Sequence, residues 1–408
     1  MDTVLDKELI FAVKNPNKVL FAKLCFYVFW SIQMVSKGFA FEDSDRIYKI
    51  LSLLSLGFLA LKFLLTDWEF RELVVACALV FCGFMTYLMT DMLALTILSL
   101  ALAGMKDVEL RPLLTYTLYL RGGLFLFMVT GSTLGFVPER MLDERELFDV
   151  VSFFFTGSFH TTVTRRCIGY GIMNVGHINF LTVALLYVYV RENKLNVWEY
   201  LGIALANYIL YRWTVSRTSM LVVFFALLLS ALIRVKRLKK PLYTVGACSF
   251  FALLAFCVVM GHTFELPPNP NQATLWQKVC ETLDKLFTSR LQYNHYAVST
   301  FSAWTLFGQK FQNNWSMLDC AFLNFWLRFG IFNCALFLWG NSGFLFRCKR
   351  LNAEGEFVAV VSMGVLGVME MSLYSVTMNV FLLLLSVYLY PPRKNVFPAE
   401  NPIVRMLQ

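Results

Sequence analysis

The feature that most limits what this chain can become is its succession of apolar runs, each close to the roughly 19-residue window that spans a bilayer. They fall near residues 19–36, 47–65, 73–89, 92–104, 113–137, 172–190, 197–213, 219–233, 242–262, 320–346, 357–374 and 376–390. One or two soluble cores cannot bury that much apolar surface, because 58% of the 408 residues are hydrophobic, 40 are Phe, and only 15% are charged. The expected fold is therefore an all-α integral membrane protein of about twelve transmembrane helices, a single polytopic domain over residues 1–408. Lys7, Lys14 and Lys18 precede the first run and no small-residue cleavage pattern follows it, which predicts a retained first span rather than a signal peptide.

Sidedness follows from the basic residues in alternate connections, since Lys and Arg resist translocation. One set carries the N-terminal lysines, Lys62, Arg71, Lys106, Arg111, Arg191, Lys194, the run from Arg234 to Lys240, Arg347, Lys349, Arg350, Arg393, Lys394 and Arg405. The opposite set is poorer and spread over far more residues. Both termini are thus expected in the cytoplasm, and the net charge of +9 reads as topology and anionic-lipid contact rather than nucleic-acid binding. The large outer loops are then 138–171 and 262–319, the latter between the ninth and tenth spans, and they form the substrate-facing region. Within the second, Leu275, Val279, Leu283 and Leu286 recur at helical spacing, predicting a helix on the membrane surface with Lys278 and Lys285 toward headgroups.

The ten cysteines contain no Cys-x-x-Cys pair, so no zinc site is expected. Most lie in apolar runs, while Cys167, Cys280 and Cys320 fall in outer stretches where pairing stays open. No inner loop is long enough to build a phosphate-binding nucleotide fold. A lipid-linked diphosphate meets that constraint, because its tail partitions into the bilayer and its head sits at the outer rim.

Outer arginines suit such a head, since guanidinium forks bind phosphate oxygens bidentately. Arg217, in Val215-Ser-Arg-Thr218, stands at a tight turn between spans, where a charge at membrane depth needs a functional reason or acts as an interfacial anchor. Arg290 follows the amphipathic helix and can approach the same rim or remain a solvated loop residue. Arg165 and Arg166 precede Gly169-Tyr170-Gly171, and Asn174 and His177 follow; His177 reads as base, sugar contact or packed polar residue. Glu370 and Asp319 are the carboxylates nearest the rim, each a base or an arginine's partner, and Asp91 is the polar residue of a short turn.

Arg165-Arg-Cys-Ile-Gly-Tyr-Gly171 with Asn174, then Val215-Ser-Arg-Thr218, then Ser289-Arg290, Thr305-Leu-Phe-Gly308, Leu318-Asp319 and Phe329-Gly330 follow one another in an order that resembles the Wzy-type polysaccharide polymerases and the related O-antigen ligases. The corresponding family elements are an Arg with Gly-aromatic-Gly and Asn, a Ser-Arg-Thr, and a late outer-loop series of Gly-Arg, Leu-Phe-Gly, Asp and Gly-Ile. Where many members have His-Pro before the Asn, this chain has Ile172-Met173, so no family role passes to His177. The resemblance covers about residues 165–330. It implies a glycosyltransferase of the bacterial cytoplasmic (inner) membrane that polymerises undecaprenyl-diphosphate-linked oligosaccharide repeats into O-antigen, capsule or exopolysaccharide.

The resemblance further implies that Arg217 and Arg290 hold the donor diphosphate and that inversion occurs at the anomeric carbon. Arg165, Arg166, Tyr170, Asn174 and His177 are the expected substrate-binding residues, and the base is left among Glu370, Asp319 and His295. No metal or other cofactor is expected, because the arginines supply positive charge. Implied partners are the lipid-linked oligosaccharide, the bilayer, a chain-length regulator and a flippase, without nucleic acid. Ligation of finished glycan, a lipid-linked oligosaccharide flippase, and a metal-dependent transferase using Glu42-Asp-Ser-Asp45 remain alternative readings.

Overall fold

The computed structural model describes residues 16–39, 41, 45–138, 142–148, 160–266, 274–286, 289–311 and 318–390. The chain is mostly helical: α1 (Pro16–Gly38), α2 (Arg46–Leu65), α3 (Phe70–Thr90), α4 (Ala94–Gly104) and α5 (Leu110–Thr133) precede a short ribbon of β1 (Leu142–Phe148) and β2 (His160–Arg166). There follow α6 (Met173–Val190), α7 (Val197–Thr214), α8 (Arg217–Leu232), α9 (Lys236–Thr263), α10 (Leu275–Leu286), α11 (Arg290–Thr300), α12 (Gly330–Leu351) and α13 (Glu354–Leu366). The ribbon is an exception to the expected all-helical class. Its strands are antiparallel, with Asp143 opposite Arg165, so it ends by delivering Arg165 to the start of α6.

Among the described residues, five helices, α1, α2, α3, α5 and α9, are long and apolar enough to cross a membrane, against the twelve expected. Shorter apolar helices include α4, residues 174–190 of α6, and α8. The difference is greatest after α13, where two spans were expected. There the chain bends at Gly367 and runs through two 3₁₀ turns, Met371–Tyr374 and Val380–Leu385, before a final turn at Ser386–Leu389. A hydropathy window counts apolar residues and does not see whether the backbone is continuous. Polar side chains break this one: Asn379 Nδ2 donates to Leu373 O at 3.0 Å, and Ser375 and Thr377 hydroxyls pair at 2.9 Å. Leu373 folds back onto Gly367, where a Cβ would stand 2.2 Å from its Cδ2.

Irregular backbone survives in an apolar setting only where other groups satisfy it. Ala321 N donates to Gly367 O at 2.8 Å and Thr182 Oγ1 to Met378 O at 3.0 Å. The broken segment is thereby buried inside the main apolar core, which runs continuously from Phe26, Phe29 and Trp30 of α1 through Leu181 and Leu185 of α6 to Phe357 of α13. Within it, α1 packs on α2 and α5, α6 on α5 and α13, and α9 on α11 and α12.

Local signals fix several ends. Asn196 and Glu199 form a reciprocal cap at α7, with Asn196 Oδ1 accepting from Glu199 N at 2.9 Å and Glu199 Oε2 from Asn196 N at 2.6 Å. Asp91, the expected turn residue, closes α3 with a left-handed φ of 60° and pairs with Lys310 at 2.7 Å. Helix α10 forms as expected, but only part of its apolar surface is free: Leu275, Trp276 and Val279 are exposed, whereas Cys280 is buried with Met260, Phe264 and Leu291. All ten cysteines are free thiols.

Candidate functional site

At the end of the bundle where α7 turns into α8, side chains distant in sequence form one polar cluster. Its centre is Arg290, the first residue of α11. Nε lies 3.0 Å from Asp319 Oδ2, Nη2 lies 3.0 Å from Glu370 Oε1, and Nη1 donates to Thr218 Oγ1 at 3.4 Å. Glu370 Oε1 also accepts from Asn174 Nδ2 at 3.3 Å. Asn174 Oδ1 in turn accepts from Arg165 Nη2 at 3.1 Å, and Arg165 Nε donates to Thr214 O at 2.9 Å.

Local structure dictates each placement. Ser289 has φ of 64°, the left-handed region that favours glycine. This reversal starts α11, and buried Asp284 of α10 caps it by accepting from Leu291 N at 3.0 Å and Gln292 N at 3.1 Å. Glu370 sits in the extended stretch between α13 and the first 3₁₀ turn, so its side chain leaves the helix line and reaches α6 and α11. Val215, with φ of 51°, ends α7 and exposes the Thr214 carbonyl that Arg165 satisfies.

Arg165 and Glu370 are each only 6% exposed, so their charges are tolerable only because they are hydrogen-bonded. Asp319 is more open; burial pushes its carboxyl above the usual range, and Arg290 pulls it back. Two arginines and two carboxylates are thus held in one cluster, Arg290 directly on both acids and Arg165 linked to Glu370 through Asn174.

The remaining sequence-predicted residues fall around this cluster or away from it. Arg217, half-buried, opens α8 next to Thr218. Arg166, also half-buried, ends β2 beside Arg165. His177 is fully buried: Nε2 donates to Asn207 Oδ1 at 2.8 Å, since Asn207 Nδ2 is committed to Met220 O, and Nδ1 faces Thr214 Oγ1 at 3.1 Å. Tyr170 is buried in an apolar cluster with Phe125, Met128, Ile168 and Leu210. His295 is not brought to Arg290's partners. It donates from Nδ1 to Gly261 O at 2.7 Å and lines a separate cleft of about 390 Å³ with His262, Glu265, Gln277 and Gln292. Glu42, Asp43 and Ser44 lie outside the described residues; none of the described residues form a metal-binding cluster.

The two late glycine motifs meet each other. Gly308 has φ of 101° and a Cβ there would stand 2.0 Å from Arg328 O; Gly330 has φ of 85° and its Cβ would meet Gly308 N at 2.5 Å. Thr305 O and Leu306 O accept from Ile331 N and Phe332 N, so this crossing caps α12. It also adjoins the π-helical turn Asn324–Arg328, whose last carbonyl, Arg328 O, accepts from Gln309 N at 3.0 Å.

Sequence reasoning missed two buried arginines. Arg328 lies over the Phe311 ring at 4.4 Å. Arg121, within α5 and 4% exposed, donates from Nε and Nη2 to Asn179 Oδ1 at 3.0 and 2.6 Å, and from Nη1 to Thr377 O. No carboxylate among the described residues pairs with it. The signal was available, since an arginine inside an apolar run is itself an anomaly, but sidedness counts use only the connections between runs.

Comparison of the chain with protein-family models, with curated proteins and with solved structures finds no match.

Proposed function

We propose that this protein is a membrane glycosyltransferase that polymerises undecaprenyl-diphosphate-linked oligosaccharide repeats at the outer face of the bacterial cytoplasmic membrane. The observation that carries this reading is the convergence of Arg165, Asn174, Arg290, Asp319 and Glu370 on one cluster, although they are separated by up to about two hundred residues of chain. In this reading Arg290, with Arg217 at the adjacent helix start, neutralises the leaving diphosphate, and Arg165 and Asn174 orient the donor. The shorter apolar helices join the five long ones in the membrane, and both termini face the cytoplasm.

The growing lipid-linked chain is the donor and a single lipid-linked repeat the acceptor. Negative charge builds on the leaving phosphate as the glycosidic bond forms, and fixed guanidinium groups stabilise it without reorganisation. A ligase would use the same cluster on a different acceptor. A flippase is the second reading, and Arg121 is the observation that favours it, because a transport path needs charge at depth.

Replacement of Arg290 by Ala in the native host separates the readings by what accumulates. Outer-leaflet single repeats without polymer support polymerisation, and long lipid-linked chains point to ligation. Inner-leaflet single repeats point to a flippase. An unchanged lipid profile removes Arg290 from the site.

A further inference from the structure

The geometry separates the three residues that could serve as the base. Three candidates came from the sequence. His295 lies at a separate cleft with its Nδ1 proton donated to Gly261 O. Asp319 pairs with Arg290 Nε from the more exposed side of the cluster. Glu370 differs from both, because a single oxygen, Oε1, receives Arg290 Nη2 at 3.0 Å and Asn174 Nδ2 at 3.3 Å. Asn174 is itself held by Arg165. That oxygen therefore occupies the position, between a guanidinium and an amide donor, where a phosphate oxygen would be bound.

We propose that Glu370 is the catalytic base and that it is delivered to the acceptor by exchange: the donor diphosphate takes its place on Arg290 and Asn174. This rests on the glycosyltransferase reading. In the unloaded protein both carboxylates, Glu370 and Asp319, pair with Arg290, and Arg165 reaches Glu370 only through Asn174. A diphosphate brings more negative charge and more acceptor oxygens than one carboxylate, so it wins the guanidinium fork. The displaced carboxylate is buried and no longer paired, a state that is costly until it finds a proton donor. The acceptor hydroxyl is that donor.

The step then balances. Glu370 takes the hydroxyl proton as the hydroxyl oxygen bonds to the donor's anomeric carbon, and the bond from that carbon to the phosphate oxygen breaks. The electron pair leaves on undecaprenyl diphosphate, whose charge Arg290 meets, and the Glu370 proton returns to solvent. The base is thus freed only when the donor is present, which couples general-base assistance to donor binding.

The test uses the full chain in lipid nanodiscs and reads binding of undecaprenyl diphosphate, with undecaprenol as the tail-only control, alongside lengthening of authentic lipid-linked repeats. Glu370→Gln removes the competing charge while keeping shape. It is expected to bind undecaprenyl diphosphate about tenfold tighter than the native protein, by loss of one charge-assisted hydrogen bond from the competing state. It is also expected to polymerise at least ~100-fold more slowly, the scale of a lost general base. Glu370→Asp, which keeps the charge one methylene shorter, is expected to bind more tightly than the native protein and to recover part of the rate. That pair of results also holds if the Gln variant folds poorly.

Weaker diphosphate binding in both variants, or undiminished polymerisation by Glu370→Gln, overturns the exchange and the base assignment while leaving Arg290 as the diphosphate site. If the native protein binds undecaprenyl diphosphate no better than undecaprenol, the glycosyltransferase reading itself fails and takes the proposal with it.

Discussion

Two arginines of this protein, buried Arg121 and half-buried Arg290, are solved by the fold in opposite ways. Arg121 is held by neutral groups: a carboxamide oxygen, the Thr377 carbonyl, and the sulfurs of Met34 and Met378 at 3.8 and 3.3 Å. Arg290 is held by two carboxylates and a hydroxyl. A backbone carbonyl cannot leave, so Arg121 is a fixed strut that supplies donors to the broken backbone after α13. Side-chain carboxylates can rotate away, so Arg290 can change partners. Burial alone does not distinguish structure from chemistry; what the partner is attached to does.

The sharpest break of this contrast is at Arg290 itself. Arg290→Ala is expected to lower polymer formation by about 10²–10³-fold, the loss typical of one preorganised charge-stabilising donor. Thermal stability in detergent should fall only modestly, because buried Glu370 keeps Asn174 as a donor and Asp319 is partly open to water. Arg290→Lys should rescue poorly, since an ammonium cannot reproduce the fork shared between Asp319 and Glu370.

Arg121→Met should show the reverse pattern. It strands Asn179 Oδ1 and Thr377 O in an apolar interior, a cost of about 2–4 kcal/mol. Folded yield and melting temperature fall, while the protein that does fold keeps its turnover. A well-folded Arg121→Met protein that traps single repeats on the inner leaflet would move the assignment to the flippase reading.

Smaller effects are expected at Asp319 and His295. Asp319→Asn is expected to cost only about five- to tenfold in rate, as the pair is partly open to solvent and worth about 1 kcal/mol. Its carboxyl is shifted upward, so it protonates at higher pH than an exposed aspartate as pH falls. Mild acid should therefore slow the native protein partly through loss of this pair, and a pH–rate comparison should find that component missing in Asp319→Asn. His295→Ala, at a separate cleft, is expected to stay within about threefold of native, like a surface change of roughly 0.5 kcal/mol. A collapse of activity there would return His295 to the list of bases.

Much of the site was legible because its chemistry leaves marks on single residues. Arg165, Arg217 and Arg290 stand out as charges beside apolar runs, and Glu370 and Asp319 as the few acids near the same rim. What could not be read was which pairs meet: Arg290 and Glu370 are eighty positions apart. The Gly308–Gly330 crossing illustrates the same limit, since each glycine is visible in sequence but the backbone contact that requires both is tertiary.

The fold was legible in class and less so in detail. Runs of apolar residues marked the helices α1 to α9, yet the same hydropathy extended the chain as regular spans through 357–390, where Asn379, Ser375 and Thr377 bond to nearby groups and break it. The β1–β2 ribbon was missed because it lies in a loop, where polar composition gives no periodic signal. Arg121 escapes a count of loop charges for a different reason, because it lies inside an apolar run.

The central claim is that the Arg165–Asn174–Glu370–Arg290–Asp319 cluster transfers glycan from a lipid diphosphate. Purified native protein and Arg290→Ala, each in nanodiscs with authentic undecaprenyl-diphosphate-linked repeats, test it through the length distribution of the lipid-linked glycans. Lengthening by the native protein alone is the expected result. Equal lengthening by both, or none by either in folded samples, would contradict it.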